Sequence, residues 1–210
     1  MKQIILILLF CCLTAISVSA QNAKTADEIT DKQWQDLFSA LQTENWNTAF
    51  DLSTKYLKQL KDDDEAKSIG NLRYMALYSA AGKVFDGKMS FDRLEEFVKG
   101  FVGKKIVFPR RQISVKCKGF NFLCPSKETK NKAMVTAMNQ AGTTILAFEY
   151  LQFKENFDFA KYDGKEVAVG GVAKSIIPNP NKTNIVILRI YISDGYVILP
   201  EQKEEKASDK

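Results

Sequence analysis

The apolar positions of this chain keep three rhythms in turn. From Ile4 to Leu13 they are continuous. Between residues 31 and 102 they return every three or four positions, and after Gly103 they fall into short runs and alternations broken by Gly, Pro and Asn. The second rhythm is that of amphipathic helices and the third that of strands. The first is too short for a comfortable bilayer span, which takes about 20 residues.

Across residues 31–44, Trp34, Leu37, Phe38 and Leu41 stand at i, i+3, i+4 and i+7 and make one stripe on a helix. Trp46, Ala49, Phe50, Leu57 and Leu60 repeat the stripe after a link at Glu44 and Asn45. A link that short forces an antiparallel hairpin. The acidic run at 62–65 supplies a polar break and a negative first turn for a third helix, which reaches Phe85 with Leu72, Met75, Ala76, Ser79 and Ala80 inward. Ser90 is the expected N-cap of a fourth helix, where Leu94, Phe97, Val98 and Phe101 share a face.

Beyond Gly103, residues 106–108 and 113–115 are β-prone. Residues 134–138 and 143–148 flank a turn at 139–142 and predict a hairpin. A short helix is expected within 154–162. Residues 167–177 read as a strand with Gly170 and Gly171 inside it, a pair suited to a bulge or sharp coil. After a turn at 179–182, strands at 185–192 and 196–199 complete the set, and the predicted class is α+β.

Two stretches carry a family resemblance. Residues 45–50, continuing through Tyr56 and Leu57, resemble the second helix of a tetratricopeptide repeat, and Trp34 and Leu37 match the spacing of its first helix. Phe38 stands where the repeat has glycine, and the link at Gly87, Lys88 and Met89 comes later than the ordinary period of about 34 residues allows. Residues 160–165, followed by 167–172, resemble the tRNA-anticodon-binding-like OB-fold domains of exported bacterial proteins: a tyrosine, Gly-Lys, then an alternating strand with glycine. That resemblance covers about residues 100–200. Together they imply antiparallel α-helical hairpins over 21–102, a five-stranded OB-like antiparallel β-barrel over 103–200 and a charged tail at 201–210. The segment holding Cys117 and Cys124 is an insertion relative to the barrel pattern.

Composition then narrows the chemistry. Lys2 precedes the continuous apolar run, and Val18-Ser19-Ala20 precedes Gln21, which is the charged, apolar, small-residue order of a secretory signal peptide over residues 1–20. An uncleaved anchor is one alternative and a lipoprotein acylated at Cys11 or Cys12 another, though Leu9 and Phe10 stand where a lipoprotein signal wants a small residue. The expected product, cleaved near Ala20, is secreted or periplasmic and not an integral membrane protein. With 45% apolar residues and 14 phenylalanines the chain can bury a sizeable core. It has no histidine, which excludes hydrolases built on a histidine base and histidine-ligated metal sites. No paired carboxylates or phosphate loop stand out among the lysine, tyrosine and carboxylate chemistries that stay open, so no catalytic residue, metal or cofactor is expected.

Cys11 and Cys12 leave with the leader, and Cys117 and Cys124, spaced C-x6-C, become a candidate disulfide in an oxidising compartment. Two separately buried thiols are the alternative. Charge is unevenly placed: residues 103–132 hold nine Lys or Arg against one acidic residue. Lys104, Lys105, Arg110, Arg111, Lys116 and Lys118 interleave there with Phe108, Phe120 and Phe122. Cations beside rings suit a polyanion-binding groove; a solvated basic face with its phenylalanines turned inward has the same sequence pattern. The function expected is that of an exported, non-catalytic interaction module meeting an envelope protein through its hairpins and barrel. The alternative is a binder of an anionic glycan or nucleic acid through residues 104–132, the glycan being the more sensible ligand because nucleic acid is scarce in that compartment.

Overall fold

A computed structural model describes residues 28–60 and 67–199. The expected leader at 1–20, the acidic run at 62–65 and the residues of the expected tail at 201–210 lie outside the described residues.

The first helix, α1 (Asp31–Gln42), starts where Thr30 and Gln33 cap each other's backbone N–H groups, a reciprocal box that satisfies two otherwise orphaned donors. Glu44, at φ 52°, turns the chain, and Asn45 accepts from the Thr48 N–H to open α2 (Trp46–Gln59). Next come α3 (Lys67–Phe85) and α4 (Phe91–Lys99), the latter capped by Ser90 as its sequence predicts. Leu72, Met75, Ala76, Ser79 and Ala80 of α3 are all buried, but so are Ile69, Tyr74, Leu77 and Ala81 around the rest of its circumference. The cause is its position: α3 lies between α2 on one side and the sheet on the other. Gly82 lets α2 come close, since a Cβ there would stand 2.1 Å from the Trp46 indole.

Seven strands follow: β1 (Lys105–Val107), β2 (Arg111–Gln112), β3 (Cys124–Pro125), β4 (Lys132–Met138), β5 (Ile145–Phe153), β6 (Glu166–Pro178) and β7 (Val186–Ile198). A 3-10 turn, Phe159–Tyr162, stands where the short helix is expected. The sheet runs β1-β6-β7-β5-β4-β3, with β2 also on β6. All pairs are antiparallel except β5 with β7, which run parallel.

The α+β class holds, but two finer expectations do not. The sheet is mixed and open rather than a closed, five-stranded antiparallel barrel. Closure fails where the first expected strands break up: Pro109 lacks a ladder donor, residues 113–115 form only an isolated bridge at Ile113 with Leu123, and the chain then loops out to residue 124. The two predicted last strands are instead one thirteen-residue strand, β7, continuous through Asp194 and Gly195 and seated between β6 and β5. Nor do the helices form two repeat-like hairpins. Only α1 and α2 resemble one; α3 packs on β1, β5 and β7, and the nine-residue α4 packs on β6. The buried apolar residues of helices and strands form one continuous cluster.

Candidate functional site

The nine candidate residues of the basic segment go to three places. Lys105, Phe108 and Arg110 line a groove; Arg111 turns inward; Lys116, Lys118 and Phe120 are exposed on the loop between β2 and β3. Phe122 of that loop is half-buried, as is Lys104 beside β1. The loop itself is anchored, because Asn121 donates its N–H to Thr136 O at 3.0 Å and Val115 N–H donates to Asp163 Oδ1 at 3.0 Å. The cations therefore do not form one surface.

The groove has a volume of about 950 Å³, within the range of ligand sites. Its floor is β1, with Val107 so close to α3 that a Cβ on Gly70 would stand 2.6 Å from it. One wall is the α1 pair Trp34 and Phe38, whose rings stack at 5.5 Å and 20°, together with Met75 of α3. Tyr196 and Ile198, at the end of β7, line it as well. Lys105 lies over the Tyr196 ring at 5.5 Å, and Ser68, Asn71, Glu28 and Arg110 supply the polar positions. Phe38 is 45% exposed, so the α1 stripe is not all core. Its departure from the glycine of the repeat pattern is the sequence signal that sets it apart. Nothing in the sequence alone brings Tyr196 to the same groove as Trp34, because the pairing of β7 with β6 is nonlocal to α1.

Behind the groove, Arg111 joins a polar cluster inside the core. The Tyr74 hydroxyl of α3 donates to Glu149 Oε1 of β5 at 2.7 Å, and Arg111 Nη2 donates to the Tyr74 hydroxyl at 3.2 Å. The guanidinium stands 3.8 Å from the Glu149 carboxylate. Phe108 packs on Tyr74 at 5.0 Å, joining the cluster to the groove wall. Burial pushes the Glu149 carboxyl up to about 7, against the opposing pull of Arg111 and the Tyr74 hydrogen bond. Burial likewise raises the Tyr74 hydroxyl, with Glu149 adding to the shift, and Tyr78 is pushed up to about 12 although Arg111 works against it. Arg111 Nε and Glu149 Oε2 find no hydrogen-bond partner among the described residues. A lone carboxylate within the apolar run 145–153 is the sequence signal for this cluster.

Cys117, exposed at φ 49°, and Cys124, buried in β3, are free thiols that approach to 2.8 Å. Burial, and after it the contact with Cys117, push the Cys124 thiol up to about 12. Among the described residues no group of three acidic or cysteine side chains is arranged to hold a metal ion, and no helix is long and apolar enough to cross a membrane. Comparison with protein-family models, with characterised proteins and with solved structures finds no match to this chain.

Proposed function

We propose that this protein is an exported, non-catalytic interaction module that takes an apolar segment of an envelope protein into the groove between α1, α3 and β1. The observation that carries this reading is the groove itself: about 950 Å³, lined by the half-buried Trp34, the exposed Phe38, Tyr196 and Arg110. Aromatic residues and arginine are the anchors that dominate protein interfaces. Glu149, the carboxyl held near neutrality, does not line the groove, so its raised pKa serves the core rather than a reaction there.

Export belongs to the same reading, and so does a bond between Cys117 and Cys124. Attack by the exposed Cys117 thiolate on the disulfide of a thiol oxidant forms a mixed disulfide and expels one oxidant thiol. Cys124 then displaces the other, so both electrons and both protons pass to the oxidant.

Selection of a displayed random-peptide library on the purified protein tests the groove. Enriched peptides are expected to carry aromatic or aliphatic anchors, and Trp34→Ala or Arg110→Glu is expected to lower their affinity by roughly tenfold or more. No enrichment, or enriched peptides indifferent to Trp34→Ala, would overturn the reading.

A further inference from the structure

The face of the sheet turned away from Tyr74 carries a second cluster, made of nearly the same residue types. Alternation along β5 sends Glu149 toward α3 and its neighbours Phe148 and Tyr150 to the other side. Register places Phe148 beside Arg189 and Tyr150 beside Tyr191 on β7. The outer strands extend both rows, Thr136 and Ile177 flanking the first, Met134 and Ser175 the second.

The tyrosine rings lie 4.6 Å apart and within 3° of parallel, too close for rings lying flat side by side. They stack face to face, and Phe148 stacks on Tyr150 at 4.7 Å. All three rings and Arg189 are half-buried, so solvent reaches them, and Met134 and Ile177 are 39% and 43% exposed. Burial raises the Tyr150 hydroxyl pKa and Tyr191 adds to it, while the positive charge of Arg189 acts against both.

Neither row contains a carboxylate, and the adjoining pair on β4 and β5 is Lys132 with Gln152. The polar side chains of these rows are therefore hydroxyls, an amide and cations, with no fixed negative charge, interleaved with hydrocarbon. A sugar ring has the complementary make-up: an apolar C–H face, a rim of oxygen acceptors and, in an acidic saccharide, an anion for Arg189. A second copy of this chain does not fit, since two such faces would bring arginine toward arginine with no carboxylate between them. We propose that this outer face of β4, β5, β7 and β6 binds an acidic polysaccharide, the anion on Arg189 and the ring against Tyr150 and Tyr191.

This site is independent of the groove, and its test keeps the two apart. The purified protein is run in native gels containing polygalacturonate, heparin, neutral dextran or a single-stranded oligothymidine. Retardation is expected in at least one acidic polysaccharide, weakening as salt rises, and not in dextran. Arg189→Gln and Tyr191→Ala are each expected to raise the apparent dissociation constant by roughly tenfold, while Arg110→Glu leaves it unchanged. Arg189→Gln keeps most of the stem of the side chain, so a fold lost in Tyr191→Ala leaves the question answerable. Failure of both acidic polymers to retard the protein would overturn the proposal. So would equal retardation by oligothymidine or dextran, retained binding in Arg189→Gln, or loss of binding through Arg110→Glu instead.

Discussion

The two faces of β5 hold two clusters that are close in composition and opposite in setting. Toward α3, Arg111 bonds Tyr74, whose ring packs on Tyr78 and Phe108; away from it, Arg189 pairs with Phe148, whose ring stacks on Tyr150 and through it on Tyr191. The buried cluster includes Glu149, which is fully enclosed, and its guanidinium is only 14% exposed. The open cluster includes no carboxylate in either of its two rows. A buried cation needs a partner within the protein, because desolvation costs several kcal/mol per ion. At the open face, water can serve that purpose, and so can an anionic ligand. The same residue types thus act as architecture on one side and stand available for recognition on the other.

Breaking the inner cluster is expected to have the largest effect. Arg111→Met leaves Glu149 without its counter-charge and is expected to cost about 3–5 kcal/mol at pH 8, measured by urea unfolding. At pH 5 the cost should shrink, because Glu149 is then protonated. Arg111→Met combined with Glu149→Leu should recover most of the loss at pH 8. A double variant no more stable than the single one would mean that the two side chains are not coupled.

The pH profile of stability sharpens the same point. Glu149 keeps its proton up to about 7 in the folded protein, against 4.5 as its ordinary value. Between these values the unfolded chain has released a proton that the folded chain retains, so this group makes stability fall as pH rises through that window and level off above 7. The shift corresponds to a loss on the order of 3 kcal/mol. Glu149→Gln should flatten that part of the profile. If wild type and Glu149→Gln run parallel from pH 4.5 to 8, the buried carboxyl does not titrate as stated.

These clusters also mark where the sequence stops being readable. The helix cap at Ser90, the short link at Glu44 and Asn45 and the hairpin of β4 and β5 follow from local chemistry, and each stands close to its predicted place. Arg111 and Arg110 are adjacent in an even basic run, yet one is buried against Tyr74 and the other lines the groove. What separates them is the short β2 pairing of Arg111 with Val167, a contact across more than fifty residues. The parallel match of β5 to β7 is likewise nonlocal, and it alone brings Tyr150 beside Tyr191 and Phe148 beside Arg189. Tyr74 was hidden differently: a helix apolar on every side has no stripe from which to read its inward residues.

Joining Cys117 to Cys124 should matter less than the inner cluster and more than the outer one. The closed loop follows the strand of Arg111 and ends in β3, so a bond there holds that segment against β4. Non-reducing mass spectrometry of protein recovered from the host's export compartment should show two hydrogens fewer than the dithiol. Reduction, or Cys117→Ser with Cys124→Ser, should lower stability by about 2 kcal/mol for a loop this short. Two free thiols in the exported protein would remove this constraint altogether.

The smallest expected change in stability is at the open face, and there the comparison meets its hardest test. Tyr191→Ala removes one ring from a cross-strand stack, and Arg189→Gln removes a charge that has no buried counter-ion in its rows. Such cross-strand pairs contribute about 0.2–1 kcal/mol. Each variant should therefore unfold within about 1 kcal/mol of wild type, at pH 5 and pH 8 alike, since the charge of Arg189 balances no titrating carboxyl in either row. The apparent dissociation constant for the acidic polysaccharide should nevertheless rise by roughly tenfold. Should Arg189→Gln instead cost as much as Arg111→Met, the outer arginine is also structural, and the difference between the two faces of β5 is one of exposure rather than of role.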